Sequence, residues 1–149
     1  MRSETDGDLD GTIDLVQTLI YQGDLLVELQ LDVEADGTVN TRGLYTYDAN
    51  RRLVRSTIDI DGDGDVEHIT TSAYAPDGLS SILEVDSDGD GQLNSRAMVT
   101  YNAMGLVLHF EHDIDLDGVA DSISDRTYDA AGNVLTVESE TPILRPGRS

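Results

Sequence analysis

The side chains in this sequence that could do chemistry are carboxylates, and their spacing follows a rule. The string D-x-D-x-D-G starts at Asp6, Asp59, Asp86 and Asp113, and at Asp32 with Glu34 as its second acid. Successive starts are 26, 27, 27 and 27 residues apart. Counted from each start, positions 1, 3, 5 and 9 carry oxygen-bearing side chains and position 6 is always glycine. The first loop offers Asp6, Asp8, Asp10 and Asp14, and the second Asp32, Glu34, Asp36 and Asn40. The third offers Asp59, Asp61, Asp63 and Glu67, the fourth Asp86, Asp88, Asp90 and Asn94, and the fifth Asp113, Asp115, Asp117 and Asp121. Three carboxylates within six residues repel one another. At ~4 Å and an effective dielectric of ~20, each like pair costs about 4 kcal/mol. A solvated turn has no use for that repulsion, whereas a hard dication does. Ca²⁺ takes about six to eight oxygens, and side chains at 1, 3, 5 and 9 supply most of them. The backbone carbonyl of position 7, at Thr12, Thr38, Asp65, Gln92 and Val119, adds one more. Glycine at position 6 permits the sharp reversal. Mg²⁺ fits less well because it holds its waters. Up to five Ca²⁺ ions are expected, the second loop being the poorest site because Glu34 crowds it and Asn40 is neutral.

Charge follows from the loops. The 149 residues, about one domain's worth, carry 30 acids against nine basic residues, all of them Arg, for a net charge of −21. Ligand positions 1, 3, 5 and 9 hold 18 of the 30 acids, and the others nearly balance the arginines. Nucleic acid and anionic membrane surfaces are excluded as partners, since both require a basic face. No apolar run approaches the ~20 residues of a spanning helix, so no membrane insertion is expected. With no Cys there is no disulfide and no thiolate chemistry. An acid-rich, Lys-free composition also suits a protein kept soluble in high salt, but that adaptation would scatter its acids.

The elements that must hold these loops are strands. Each repeat has a β-branched run ending on a tyrosine fifteen residues from the start: Tyr21, Tyr47, Tyr74, Tyr101 and Tyr128. Four turns follow, Asp48-Ala49-Asn50-Arg51, Ala75-Pro76-Asp77-Gly78, Asn102-Ala103-Met104-Gly105 and Asp129-Ala130-Ala131-Gly132; Asp or Asn opens three of them and Gly closes three, which fits a type I turn ended by a left-handed residue. The next strand alternates, as in Leu108 and Phe110 against His109 and Glu111. Period-two alternation predicts antiparallel strands with one buried face. The expected fold is all-β: a meander of ten strands in five 27-residue repeats over residues 6–139, curled or spiralled, with the acidic loops along one edge. The alternative is a parallel β-solenoid. The apolar face must be covered, so the sheet should curl, spiral or pair with another copy. Residues 1–5 read as an N-terminal extension and 140–149 as a C-terminal tail. Arg-Ser occurs at both ends, as a cloning scar would leave it, and nothing at the start resembles a signal peptide.

Other candidates are bland. His109 and His112 flank Glu111, but strand alternation puts them on opposite faces, and with His68 they read as solvated. No unique constellation suggests an enzyme, since every carboxylate cluster is repeated. The tyrosine column reads as a packing ladder, with an exposed aromatic row for sugar rings as the alternative.

The loops resemble the first nine residues of an EF-hand, although position 12 is Gln17, Gly43, Thr70, Ala97 or Ser124 and never the bidentate Glu. With strands on both sides they are more similar to the calcium hairpin loops of integrin-type FG-GAP repeats (D-x-D-x-D-G-x-x-D), and to thrombospondin type 3 repeats. Tyr45-Thr46-Tyr47-Asp48 and Tyr128-Asp129-Ala130-Ala131-Gly132-Asn133 resemble the Y-x-Y-D-x-x-G of YD (RHS-type) repeats, although Tyr21, Tyr74 and Tyr101 are not followed by Asp. These resemblances imply an extracellular, calcium-stabilised structural module of a bacterial surface protein. The function expected is that of a stalk or spacer, flanked by neighbouring repeats of a longer chain. The alternative is a calcium-dependent adhesin or carbohydrate-binding module with a protein or glycan partner.

Overall fold

The computed structural model describes residues 1–141. It is all-β, as expected, with no helix among these residues. Eleven strands run β1 Arg2–Thr5, β2 Leu15–Gln22, β3 Leu25–Val33, β4 Thr41–Tyr47, β5 Leu53–Asp59, β6 His68–Tyr74, β7 Ser80–Asp86, β8 Ser95–Tyr101, β9 Val107–Asp113, β10 Ser122–Tyr128 and β11 Val134–Glu140. They form an open antiparallel sheet whose strand order is chain order, which replaces the solenoid alternative. The strand beyond the ten expected is β1. Its four residues are polar and exposed and show no alternation, so their pattern gives no strand signal. They nevertheless pair with β2, Arg2 opposite Thr18 through Thr5 opposite Leu15, and the Met1 ammonium donates to the Leu19 carbonyl at 2.6 Å. Of the tail read from the sequence, residues 142–149 lie outside the described residues.

The chain divides into two compact units, residues 1–71 with 86–92, and residues 72–85 with those from 93 onward. In the first unit β2 and β3 form the longest hairpin, and β4 and β5 the next, with Arg42 opposite Asp59 and Thr46 opposite Arg55. In the second unit β8 pairs with β9 and β10 with β11 in the same way. Each of these four hairpins has a bulge just before its tyrosine, between Ile20 and Tyr21, Thr46 and Tyr47, Thr100 and Tyr101, or Thr127 and Tyr128. The bulge lets a tight turn close without straightening the strand twist. The turns have the expected form. The residue at the fourth place donates to the carbonyl of the first at 2.9–3.0 Å, and Arg51, Gly78, Gly105 and Gly132 take φ of 66°, 73°, 77° and 86°.

Burial is shallow. Among the described residues Val16 and Val99, each 7 % exposed, are the buried apolar side chains, and Ser81 and Asp86 the buried polar ones. With one Phe, no Trp and no helix to lay on the sheet, most strand residues remain half-buried. On β11, Leu135 is 64 % and Val137 55 % exposed. The covering expected for the apolar face is therefore not provided on β11 by the described residues. The wet face is laced by cross-strand charge: Arg42 Nε donates to Glu28 Oε1 at 2.8 Å in the first unit, and Arg96 lies 3.7 Å from Glu84 in the second.

Candidate metal centres

Because consecutive strands run antiparallel, alternate connections serve the same purpose. The acidic loops join β1 to β2, β3 to β4, β5 to β6, β7 to β8 and β9 to β10. Each loop closes at its neck by one backbone bond. The amide of position 9 donates to the carbonyl just before position 1: Asp14 to Thr5, Asn40 to Leu31, Glu67 to Ile58, Asn94 to Val85 and Asp121 to His112, at 2.7–3.1 Å.

Inside that neck the carboxylates organise the loop through its own amides. Oδ2 of position 1 accepts the glycine amide of position 6 in all five loops, at 2.9–3.1 Å from Asp6, Asp32, Asp59, Asp86 and Asp113. Oδ1 of position 5 accepts the amide of position 7, Asp10 from Thr12, Asp36 from Thr38, Asp63 from Asp65, Asp90 from Gln92 and Asp117 from Val119, at 2.7–2.8 Å. The side chain of position 9 accepts the amide of position 2, Asp14 from Gly7, Asn40 from Val33, Glu67 from Ile60 and Asp121 from Ile114. These donors favour the ionised carboxyl. The Thr12 hydroxyl and amide lower the pKa of Asp10, and the Thr38 amide, then its hydroxyl, lowers that of Asp36. For Asp86, only 4 % exposed, burial pushes the pKa up, but hydrogen bonds from the Gly91, Gly89 and Asp88 amides, with one to the Asp88 side chain, together outweigh it and the net shift is downward.

Four loops bring carboxylate oxygens together within 4.8 Å: Asp6, Asp8 and Asp10; Asp59, Asp61, Asp63 and Glu67; Asp86, Asp88 and Asp90; Asp113, Asp115 and Asp121. The third loop converges all four of its acids. Asp14 and Asp117 stand outside the first and fifth clusters. The second loop forms no cluster of three among the described residues, and its backbone explains why. Position 3 has a negative φ in the other loops, whereas Glu34 has φ of 70°, so its side chain leaves the backbone in a different direction. Asp32 Oδ1 is left buried without a hydrogen-bond partner, and so is Asp113 Oδ1. In the first, third and fourth loops the matching oxygen accepts the position-4 amide of Leu9, Gly62 or Gly89 at 2.6–2.7 Å. A carboxylate oxygen buried without a donor is costly unless a cation meets it. The donor set is all oxygen, which fits a hard divalent ion.

Position 4 was not singled out in the sequence, yet it is constrained in two loops. A Cβ on Gly62 would overlap the Val39 carbonyl oxygen, and one on Gly89 the Val66 carbonyl oxygen. The sequence signal is the Gly-Asp-Gly of loops three and four, which the glycine required at position 6 obscured. His109 lies outside every cluster. It bridges Asp125 through Nδ1 at 2.7 Å and Glu111 through Nε2 at 3.0 Å. His112 packs its ring 6.0 Å from that of Phe110.

No family model matches the chain, and no curated protein matches it. Among solved structures it is similar to a protein of unknown function from Bacteroides fragilis NCTC 9343, at 9 % identity and a TM-score of 0.51, over 90 % of this chain and 95 % of that one. At that identity the likeness shows the fold alone.

Proposed function

We propose that the chain is a calcium-binding structural repeat segment, a stalk or spacer of a secreted or surface bacterial protein, stiffened by up to five Ca²⁺ ions. The observation that carries the reading is the repetition itself. Five loops of one length share one neck bond and one position-1-to-glycine bond, and four of them gather three or more acids. An isolated acidic turn could be a solvated accident, but the same arrangement five times in register has a common purpose. The orphaned oxygens of Asp32 and Asp113 support a cation in place of more amide donors. Ca²⁺ is preferred to Mg²⁺ because the loops offer many flexible oxygens in place of a partly hydrated octahedron. A placement outside the cell follows from millimolar calcium there, and the bacterial surface from the YD-like turns. No reaction is assigned, and the partners proposed are neighbouring repeats of a longer chain.

The adhesin reading is less favoured, because two of the tyrosines that would stack on sugars are engaged internally. Tyr47 donates to the Leu26 carbonyl at 2.9 Å and Tyr128 to the Val107 carbonyl at 2.7 Å. Native mass spectrometry after dialysis into millimolar calcium tests the proposal. Four or five bound ions, displaced by EGTA and not replaced by equimolar magnesium, are expected. A protein that retains no calcium overturns it.

A further inference from the structure

The overlap at Gly62 and Gly89 places successive loops of the first unit in backbone contact. Position 4 takes a left-handed φ in all five loops, 75° and 72° at these glycines but also 64° at Leu9, 52° at Ala35 and 61° at Leu116. The conformation alone therefore does not require glycine; the space does. At Gly62 that space is filled by the position-8 carbonyl of the second loop, Val39, and at Gly89 by the position-8 carbonyl of the third, Val66. Position 8 lies one peptide beyond the carbonyl of position 7, which is the backbone ligand of the calcium loop, and its carbon is fixed to the neck amide of position 9.

We infer that Gly62 and Gly89 are positioning residues for the loop that precedes each of them, so that loops two, three and four bind calcium as a coupled series. The inference rests on the calcium reading above. When an ion draws in the Asp65 carbonyl, the adjoining Val66 peptide moves with it, and its carbonyl is seated on Gly89. Ordering of loop three thus orders loop four, and the reverse holds with the same factor, because coupling between binding sites is reciprocal. A side chain at position 4 would hold the two loops apart without removing a ligand from either.

The test is a calcium titration of the full chain followed at the Gly64 and Gly91 amides, which report loops three and four through their bonds to Asp59 and Asp86. Gly89→Ala should weaken calcium binding at loop three by about fivefold or more, although every loop-three ligand is intact. Gly105→Ala serves as the control, since Gly105 has φ of 77° with open space around it and therefore adds the same backbone strain without an overlap. It should leave loop three unchanged. If Gly89→Ala does not fold, Asp90→Asn weakens loop four without an overlap and should lower loop-three affinity by the same coupling. A wild-type chain whose amides ignore calcium overturns the metal reading and the coupling with it. A wild-type chain that responds, with loop three unmoved by either loop-four variant, overturns the coupling alone.

Discussion

Glu34 differs from the aspartates at position 3 of the other loops by one methylene, and the backbone records the difference. Its left-handed φ of 70°, where position 3 of the other loops has a negative φ, sets the second loop apart from those that gather three acids. With fewer converging charges, calcium should bind there most weakly, and in a titration the Gly37 amide should respond last. Glu34→Asp combined with Ala35→Gly should bring it forward several-fold; a Gly37 amide that responds first refutes this order. His109 gives the second residue-scale expectation. Hydrogen bonds to Asp125, then to Glu111, raise its pKa above 6.5. A raised folded-state pKa means stability that is complete below pH ~6.5 and fades as pH rises through the folded value. The loop carboxylates Asp10, Asp36 and Asp86 are shifted down, so their contribution is present above pH ~4 and is lost as pH falls through their folded values. Denaturation of the calcium-free protein across pH 2–9 should show decline on both sides. His109→Gln should flatten the alkaline side and leave the acid side unchanged.

Between hairpins the tyrosine is the stitch. Tyr47 and Tyr128 each reach back 21 residues to a carbonyl of the preceding repeat, and Tyr101 lies 3.2 Å from the Ser81 hydroxyl. Among the described residues no hairpin precedes that of Tyr21, which is 46 % exposed. Tyr47→Phe should therefore cost about 1 kcal/mol, the usual net value of one half-buried hydrogen bond. Tyr21→Phe should fall within a few tenths, and equal losses in urea unfolding would refute the stitch. This column, the hairpins and their turns were legible in the sequence because each depends on local chemistry repeated at a fixed interval. Three features were not. The strand Arg2–Thr5 has no apolar alternation to announce it and exists because β2 offers a free edge. The bulge before Tyr21, Tyr47, Tyr101 and Tyr128 is a pairing property that no single strand displays. Gly62 and Gly89 look like ordinary turn glycines until the neighbouring loop is seen to press on them. The ligand positions themselves could be read off, yet convergence could not: Asp14 and Asp117 keep the pattern and stay outside the clusters, although each accepts the same loop amide as its counterparts that converge.

For the whole molecule the decisive comparison is between a thin core and a large charge. Few side chains are buried, and −21 of net charge works against any compact arrangement. Calcium bound as proposed above would correct both deficits at once. At ~2 mM and a Kd of about 10⁻⁴ M, each site adds about 1.8 kcal/mol, and five independent sites about 9 kcal/mol, comparable with the ~5–15 kcal/mol of an ordinary domain. Excess EGTA should therefore lower the melting temperature sharply, and 1 M NaCl should restore part of the loss by screening, since the Debye length falls to ~3 Å. Salt alone leaves the orphaned oxygens unmet, so the recovery should be incomplete. Where a site is lost should matter as much as how many. Asp6 and Asp59 occupy the same position and each accepts two amides, from Leu9 and Gly11 and from Gly62 and Gly64. The Asp6 loop closes on the four-residue edge strand β1, whereas the Asp59 loop lies between loops that press on it from either side. In a repeat array a central element has two interfaces to lose and a terminal one has a single interface. Asp59→Ala should thus lower stability more than Asp6→Ala in millimolar calcium, and should release hydrogen-exchange protection in the hairpins on both sides. Equal losses, or protection lost only within the altered loop, would mean that the loops stabilise their own hairpins and nothing beyond them.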